Sequence, residues 1–104
     1  MTTDHSTVDL RNLSSRKLWR KLGRLTDRLW RRSDHLKYVT AAANEFQFGF
    51  YDPDRRAYGL EGLQIQVEEL RTDPSYQEAH SMLQIARILD EREPIDYGYS
   101  EIDD

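Results

Sequence analysis

The chain contains no cysteine, and it has no apolar run long enough to span a membrane. Without cysteine it has no disulfide framework, no thiol nucleophile and no thiolate metal site. A membrane-spanning helix requires about 18 or more consecutive apolar residues, and no stretch approaches that length. The first residues carry neither a signal-peptide pattern nor an acylation motif. These absences predict a protein of the reducing cytoplasm that is neither secreted nor lipidated.

The sequence also lacks the motifs that support catalysis, cofactor binding or metal binding. The three histidines, His5, His35 and His80, do not have the HExxH or Glu-x-x-His spacing of a metal site. The pair Gly59-Leu-Glu-Gly62 is not a phosphate loop, and it is typical of the start of a helix. The acids around Asp52 do not have the alternating positions of a calcium loop. We therefore expect no enzyme, no cofactor and no metal site.

Large aliphatic residues and phenylalanine are scarce. Leucine, isoleucine, valine and phenylalanine supply 23 of the 104 residues, just above the level at which a highly charged chain stays disordered. A chain of this length forms one domain at most. Because so small a core is marginal, we expect a homodimer or an obligate hetero-complex to complete it. The predicted organisation is a flexible N-terminal arm (residues 1–12), a single small helical domain (13–92) and an acidic tail (93–104).

What the chain does contain is a strongly amphipathic stretch over residues 14–37, SSRKLWRKLGRLTDRLWRRSDHLK. Its leucines, at positions 18, 22, 25, 29 and 36, fall within about 60° on one wall of a helix. Their spacing resembles a coiled-coil seam and predicts a long helix over residues 14–43. Arg32 would interrupt that seam. Either the helix bends near Ser33 and Asp34, or Arg32 meets an acid.

The opposite wall of this predicted helix is basic, and two tryptophans lie along one of its borders. Positive charge in the first helical turn opposes the helix dipole and typically costs a few tenths of a kcal/mol per residue. No capping box compensates for it. The charges form either a solvated face or a docking face for phosphate, lipid or an acidic protein. The candidate partner-binding residues here are Arg20, Arg24, Arg28, Arg31, Trp19 and Trp30.

Charge is distributed unevenly along the sequence. Residues 11–37 hold ten basic and two acidic residues, whereas residues 44–104 hold five basic and fifteen acidic ones, within a net charge of −4. The acidic half either neutralises the basic helix, within the chain or between subunits, or binds a partner of its own.

The middle of the chain allows two interpretations. Phe46, Phe48 and Phe50 alternate with other residues, as in a strand, and Asp52-Pro53-Asp54 is a typical turn. A short β-hairpin over residues 45–60 would follow. Alternatively, the helix ends here and an aromatic-rich loop continues from it.

Residues 60–91 predict an antiparallel helical hairpin. Leu60, Leu63, Val67 and Leu70 have helical spacing, although residues 63–67 also alternate as a strand would. For the second helix, Asp73 is the predicted N-cap and Pro74 the predicted first residue. The expected fold class is therefore all-α or α-dominated, a long basic helix packed on a helical hairpin.

The tail, residues 93–104, interleaves its acids with large side chains, among them Tyr97 and Tyr99. This pattern fits either a disordered tail without a role or a linear segment that binds a basic or grooved partner. Tyr97 and Tyr99 are therefore further candidate partner-binding residues.

The sequence as a whole favours a small helical interaction protein, an adaptor, assembly factor or regulator. It would bind another protein with an acidic surface through the basic helix, the acidic tail or both. Two alternatives use the same helix: binding of nucleic acid by the arginines with a stacking tryptophan, and binding to a membrane surface. The many acids of the second half disfavour both, because they repel nucleic acid and anionic lipid.

Overall fold

The computed structural model describes residues 10–49 and 52–92, and within those ranges it contains helices and no β-strand. This confirms the predicted α-dominated fold. No helix in the described part is both long enough and apolar enough to cross a membrane. The elements are α1 (Ser15–Arg32), a 3₁₀ turn (Asp34–Leu36), α2 (Lys37–Phe48), α3 (Pro53–Glu69) and α4 (Tyr76–Glu91).

The prediction of one long helix over residues 14–43 is wrong, because the chain turns a corner after α1. Ser33 has an extended backbone (φ −164°, ψ 148°). In the 3₁₀ turn that follows, the Leu36 N–H donates to the Ser33 carbonyl (3.1 Å). Both expectations about Arg32 are confirmed: the helix ends there, and the guanidinium forms an ion pair with Glu78 of α4 (Nη2–Oε2 3.1 Å).

The β-hairpin considered for residues 45–60 does not form. Phe46 and Phe48 lie in the last turn of α2, and α3 begins at Pro53. The alternating aromatics therefore belong to a helix, with Phe46 fully buried and Phe48 61% exposed. Phe50 lies outside the described residues.

The Asp-Pro-Asp sequence starts a helix instead of turning a hairpin. The Asp52 carboxylate accepts the backbone N–H groups of Asp54 (3.1 Å) and Arg55 (3.3 Å). Pro53 occupies the first helical position, where its missing N–H would have no partner within the helix. The helical hairpin consequently begins earlier than the predicted residue 60.

The second helix of the hairpin begins two residues later than predicted. Ser75 is the N-cap and Tyr76 the first residue of α4, so the assignment of Asp73 and Pro74 to these positions is wrong. Asp73 has a related role, because its Oδ1 accepts the Ser75 N–H (2.8 Å) and stabilises the turn that leads into the helix.

The glycine pair of α3 lies inside the helix, so its prediction as a helix start is also wrong. Gly59 contacts the backbone of α2 so closely that a Cβ would lie 2.3 Å from the Phe46 nitrogen. A Cβ on Gly62 would lie 3.4 Å from the Cβ of Ala42. Because these pairings run in opposite directions along the two helices, α2 and α3 are antiparallel and almost in backbone contact at Gly59.

The predicted antiparallel packing of the last two helices is confirmed by two polar contacts. Near the start of α3, the Arg56 guanidinium lies 3.6 Å from the Asp90 carboxylate at the end of α4. Further along, the Arg87 guanidinium donates to the Gln64 side-chain carbonyl (2.9 Å). Helix α4 is also antiparallel to α1. The Thr26 hydroxyl contacts the Met82 sulfur, and the Arg92 guanidinium, just after α4, donates to the Ser15 hydroxyl at the start of α1.

The leucine stripe of α1 is buried within this one chain. Leu18, Leu22 and Leu29 are fully buried, and Leu25 is 8% exposed. They form one apolar cluster with residues of the other helices, including Phe46, Leu63, Met82 and Ile85. The leucine stripe is therefore covered within one chain, and the homodimer or hetero-complex stays a prediction.

Candidate binding surface on the first helix

Helix α1 directs its positive charge away from the core from its first turn onward. Its sequence contains eight basic residues and one acid, and no acid lies in the first turn. The Ser14 hydroxyl caps the helix by accepting the Lys17 N–H (3.1 Å). A hydroxyl satisfies that N–H but adds no negative charge to offset the helix dipole. Since the leucine stripe takes the inner wall, the cations are left on the outer one.

In the C-terminal half of α1, basic side chains hold α4 in place. The Arg32 guanidinium binds both carboxylate oxygens of Glu78, and Arg28 lies 3.4 Å from the same carboxylate. The hydrogen bonds from Arg32 hold the pKa of Glu78 below its ordinary value. Arg31 is 3.4 Å from Asp27 on its own helix, and its side chain is largely exposed. Arg28 therefore contributes to packing between helices as well as to surface charge.

In the N-terminal half, three cations lack such neutralisation by described residues. Within residues 10–49 and 52–92 no carboxylate lies at ion-pair distance from Lys17, Lys21 or Arg24. These three line a shallow groove of ≈ 290 Å³ together with Leu13 and Arg20. We call these five residues the basic groove. Two of the predicted site residues, Arg20 and Arg24, lie in it.

The two tryptophans, predicted to act together, differ in environment. Trp19 is half-buried and its ring stacks on Phe46 of α2, with 5.4 Å between ring centroids and 23° between planes. Trp30 is 57% exposed. It lies over a cleft of ≈ 290 Å³ whose lining includes Asn44 and Gln47. Trp19 thus packs at the edge of the core, whereas Trp30 is available at the surface.

The end of α4 is fastened beside the basic groove. The Arg92 guanidinium donates to the carbonyl of Leu13 (3.0 Å), the hydroxyl of Ser15 (3.1 Å) and the carbonyl of Arg11 (3.2 Å). A hydrogen-bonded ion pair between Arg11 and Glu91 (2.9 Å) adds to this contact and lowers the pKa of Glu91. The chain therefore leaves α4 next to the start of α1.

A second surface feature, between α2 and α3, was not predicted from the sequence. A groove of ≈ 430 Å³ lies between the two helices, and its lining includes Tyr38, Tyr58 and Ile65. These three side chains are 68%, 70% and 53% exposed. In the sequence, these three residues fall on the side of their helix opposite the buried positions, and that pattern could have identified them.

The histidines do not form a metal centre in the described part of the chain. No group of three or more potential ligands is placed there to hold an ion. His35, in the corner between α1 and α2, is instead hydrogen-bonded to Ser33 (2.8 Å) and to the carboxylate of Asp73 (2.6 Å) in the turn between α3 and α4. The Ser75 N–H, followed by this bond from His35, lowers the pKa of Asp73.

The remaining predicted site residues, Tyr97 and Tyr99, lie outside the described residues. No protein family, curated protein or solved structure matches the chain.

Proposed function

We propose that this chain is a non-enzymatic helical interaction protein, an adaptor, assembly factor or regulator, whose basic groove binds an acidic segment of another protein. The observation that carries this proposal is the set of three cations, Lys17, Lys21 and Arg24, that no described carboxylate neutralises. Lys17 lies in the first turn of α1, where its charge opposes the helix dipole, and an interaction with negative charge would offset that local cost. An acidic partner supplies that interaction.

The neighbouring side chains support binding of a protein in preference to a bare phosphate backbone. Leu13 lines the groove beside the cations, and a lysine side chain combines an apolar stem with its charged head. At the other end of α1, Trp30 is exposed and close to Asp27, so this side of the helix has mixed charge. Arginine and tryptophan are enriched among the residues that dominate binding energy at interfaces.

The proposed complex differs in one respect from the expectation based on composition. Because the leucine stripe is covered within the chain, a homodimer or obligate hetero-complex need not complete the core. We propose contact through the basic outer face, with a cytoplasmic location that fits the absence of cysteine.

The test is affinity capture from native extract, with and without nuclease, using three full-length baits. The baits are the wild type, the groove variant Lys17→Glu/Arg24→Glu, and the control Arg71→Glu/Arg87→Glu. The control has the same change in net charge but alters exposed cations of the turn after α3 and of α4.

A protein retained by the wild type and the control, resistant to nuclease and lost from the groove variant, supports the proposal. Retention that disappears with nuclease supports nucleic-acid binding instead. Equal retention by all three baits removes the basic groove from the function and leaves the acidic tail as the better candidate.

A further inference from the structure

We propose that the basic groove is occupied by the chain's own acidic segment, residues 93–104, which binds in cis and competes with external acidic partners. This inference rests on the proposed function, because it takes the groove to be a site for acidic segments. It names a segment of the same chain as a ligand of the groove, and that segment would regulate the binding of external partners.

The end of α4, to which the segment is attached, lies next to the start of α1. Arg92 closes the end of α4 onto Leu13 and Ser15 through hydrogen bonds of 3.0 and 3.1 Å. The end of α4 is therefore beside the groove, which Leu13 lines. A segment attached this close experiences a high local concentration at the groove, in the millimolar range for a short flexible connection.

The segment is long enough to reach along the whole groove. From Ser15 to Arg24 a helix rises about 14 Å. An extended chain covers that distance with about four or five residues. Because α4 is antiparallel to α1, the segment must first reverse direction, and Pro94 and Gly98 are residues that favour such turns. Twelve residues suffice for the reversal and for the full length of the groove.

The segment and the groove are complementary in charge and in apolar character. Residues 93–104 contain five acids and no basic residue. The lysines and arginines of the groove therefore attract the segment, and no basic residue in the segment opposes that attraction. Isoleucines and tyrosines alternate with the acids, and they match a groove that combines cations with the apolar Leu13.

The absence of cysteine permits a direct test on the full chain. Ser100→Cys introduces a single thiol for a nitroxide spin label, and paramagnetic broadening of backbone amide signals then reports which residues the segment approaches. We expect the amides of Lys17, Lys21 and Arg24 to lose most of their intensity. The signals should recover when the segment is neutralised by Asp96→Asn/Glu101→Gln/Asp103→Asn, and also in the groove variant Lys17→Glu/Arg24→Glu.

The control variant Arg71→Glu/Arg87→Glu should retain the broadening. Absence of broadening in α1, or broadening that survives neutralisation of the segment, overturns the inference. A mixture of spin-labelled unenriched chain with unlabelled ¹⁵N-enriched chain identifies binding between copies. Broadening in that mixture at the strength seen within one chain shows that the segment occupies a second copy, and it overturns binding in cis.

A second measurement separates this inference from the proposed function. Polyglutamate peptide serves as the external acidic probe and is titrated into the wild type and the segment-neutralised variant. Competition in cis predicts about tenfold tighter binding to the neutralised variant. Equal affinity without broadening overturns the cis contact and leaves the proposed function standing. Broadening without peptide binding supports the cis contact and counts against an external acidic partner, and failure of both measurements overturns both proposals.

Discussion

Gly59 of α3 lies so close to Phe46 of α2 that a Cβ at residue 59 would be 2.3 Å from the Phe46 nitrogen. The opposing atoms belong to the backbone of a helix and cannot rotate away. Gly59→Ala should therefore force α2 and α3 apart and lower the free energy of unfolding by roughly 1–3 kcal/mol, in spite of the higher helix propensity of alanine. Chemical denaturation monitored by circular dichroism measures the change.

The matched control is Gly23→Ala in α1. A Cβ there would lie 3.6 Å from the flexible Gln47 side chain. Without a clash, the gain in helix propensity should raise the free energy of unfolding by up to about 1 kcal/mol. If Gly59→Ala were as stabilising as Gly23→Ala, the close helix crossing would be incorrect.

The two tryptophans should respond differently to truncation. Trp19→Ala removes an indole that stacks on Phe46 in the margin of the core, and it should cost roughly 2–4 kcal/mol of stability. Trp30→Ala removes an exposed ring, and it should cost less than about 1 kcal/mol. Thermal melts and capture of the groove-dependent partner from extract should be measured for both variants.

A folded Trp30→Ala protein that loses its partner assigns Trp30 to the binding surface. Unchanged partner capture by that variant would remove Trp30 from it. Equal destabilisation by the two substitutions would contradict their different environments.

Arg56 is buried and joins two helix ends. Its guanidinium donates to the Gly49 carbonyl at the end of α2 (3.2 Å) and lies near Asp90 of α4. Arg56→Met keeps much of the volume but leaves the buried carbonyl without this donor, so stability should fall by about 1–3 kcal/mol. Arg55→Met, the neighbouring exposed position, should cause a smaller loss. Denaturant titration measures the free energy of unfolding of both variants. A larger loss for Arg55→Met than for Arg56→Met would contradict the buried role of Arg56.

The ion pair between Arg32 and Glu78 should give the fold a defined response to acid. The pKa of Glu78 is held below its ordinary value of 4.5 by its hydrogen bonds from Arg32. A carboxylate with a depressed pKa stabilises the folded state fully above its unfolded pKa, and this contribution disappears as the pH falls through the folded pKa. Glu78→Gln should therefore lower Tm by a few degrees at pH 7.

The difference in Tm between Glu78→Gln and the wild type should shrink below about pH 4.5 and vanish once Glu78 is protonated in both states. Calorimetric melts from pH 7 to pH 3 test this. Glu61→Gln in α3 is the control and should leave Tm unchanged, because no described cation pairs with Glu61. A gap in Tm that stays constant down to pH 3 would show that electrostatics does not cause it.

Local patterns in the sequence predicted the elements of the fold but not all of their limits. The leucine spacing identified α1 and its buried wall. Asp52 and Pro53 fit a turn as well as the N-terminal cap of a helix. The packing of Phe46 against Gly59 of α3 favours a helix over a strand at residues 45–48. Helix α4 begins two residues later than the sequence predicts, because Asp73 stabilises the preceding turn and does not cap the helix.

The sequence by itself determined that the chain is helical and that α1 is basic outside and apolar inside, since helical periodicity is a property of one continuous segment. Tertiary structure decided the corner at Ser33, the close crossing at Gly59 and the different environments of the two tryptophans. It also decided which cations are neutralised, because Glu78 lies 46 residues from Arg32 in the chain. Such pairings depend on packing energies between distant segments, and no local pattern contains them.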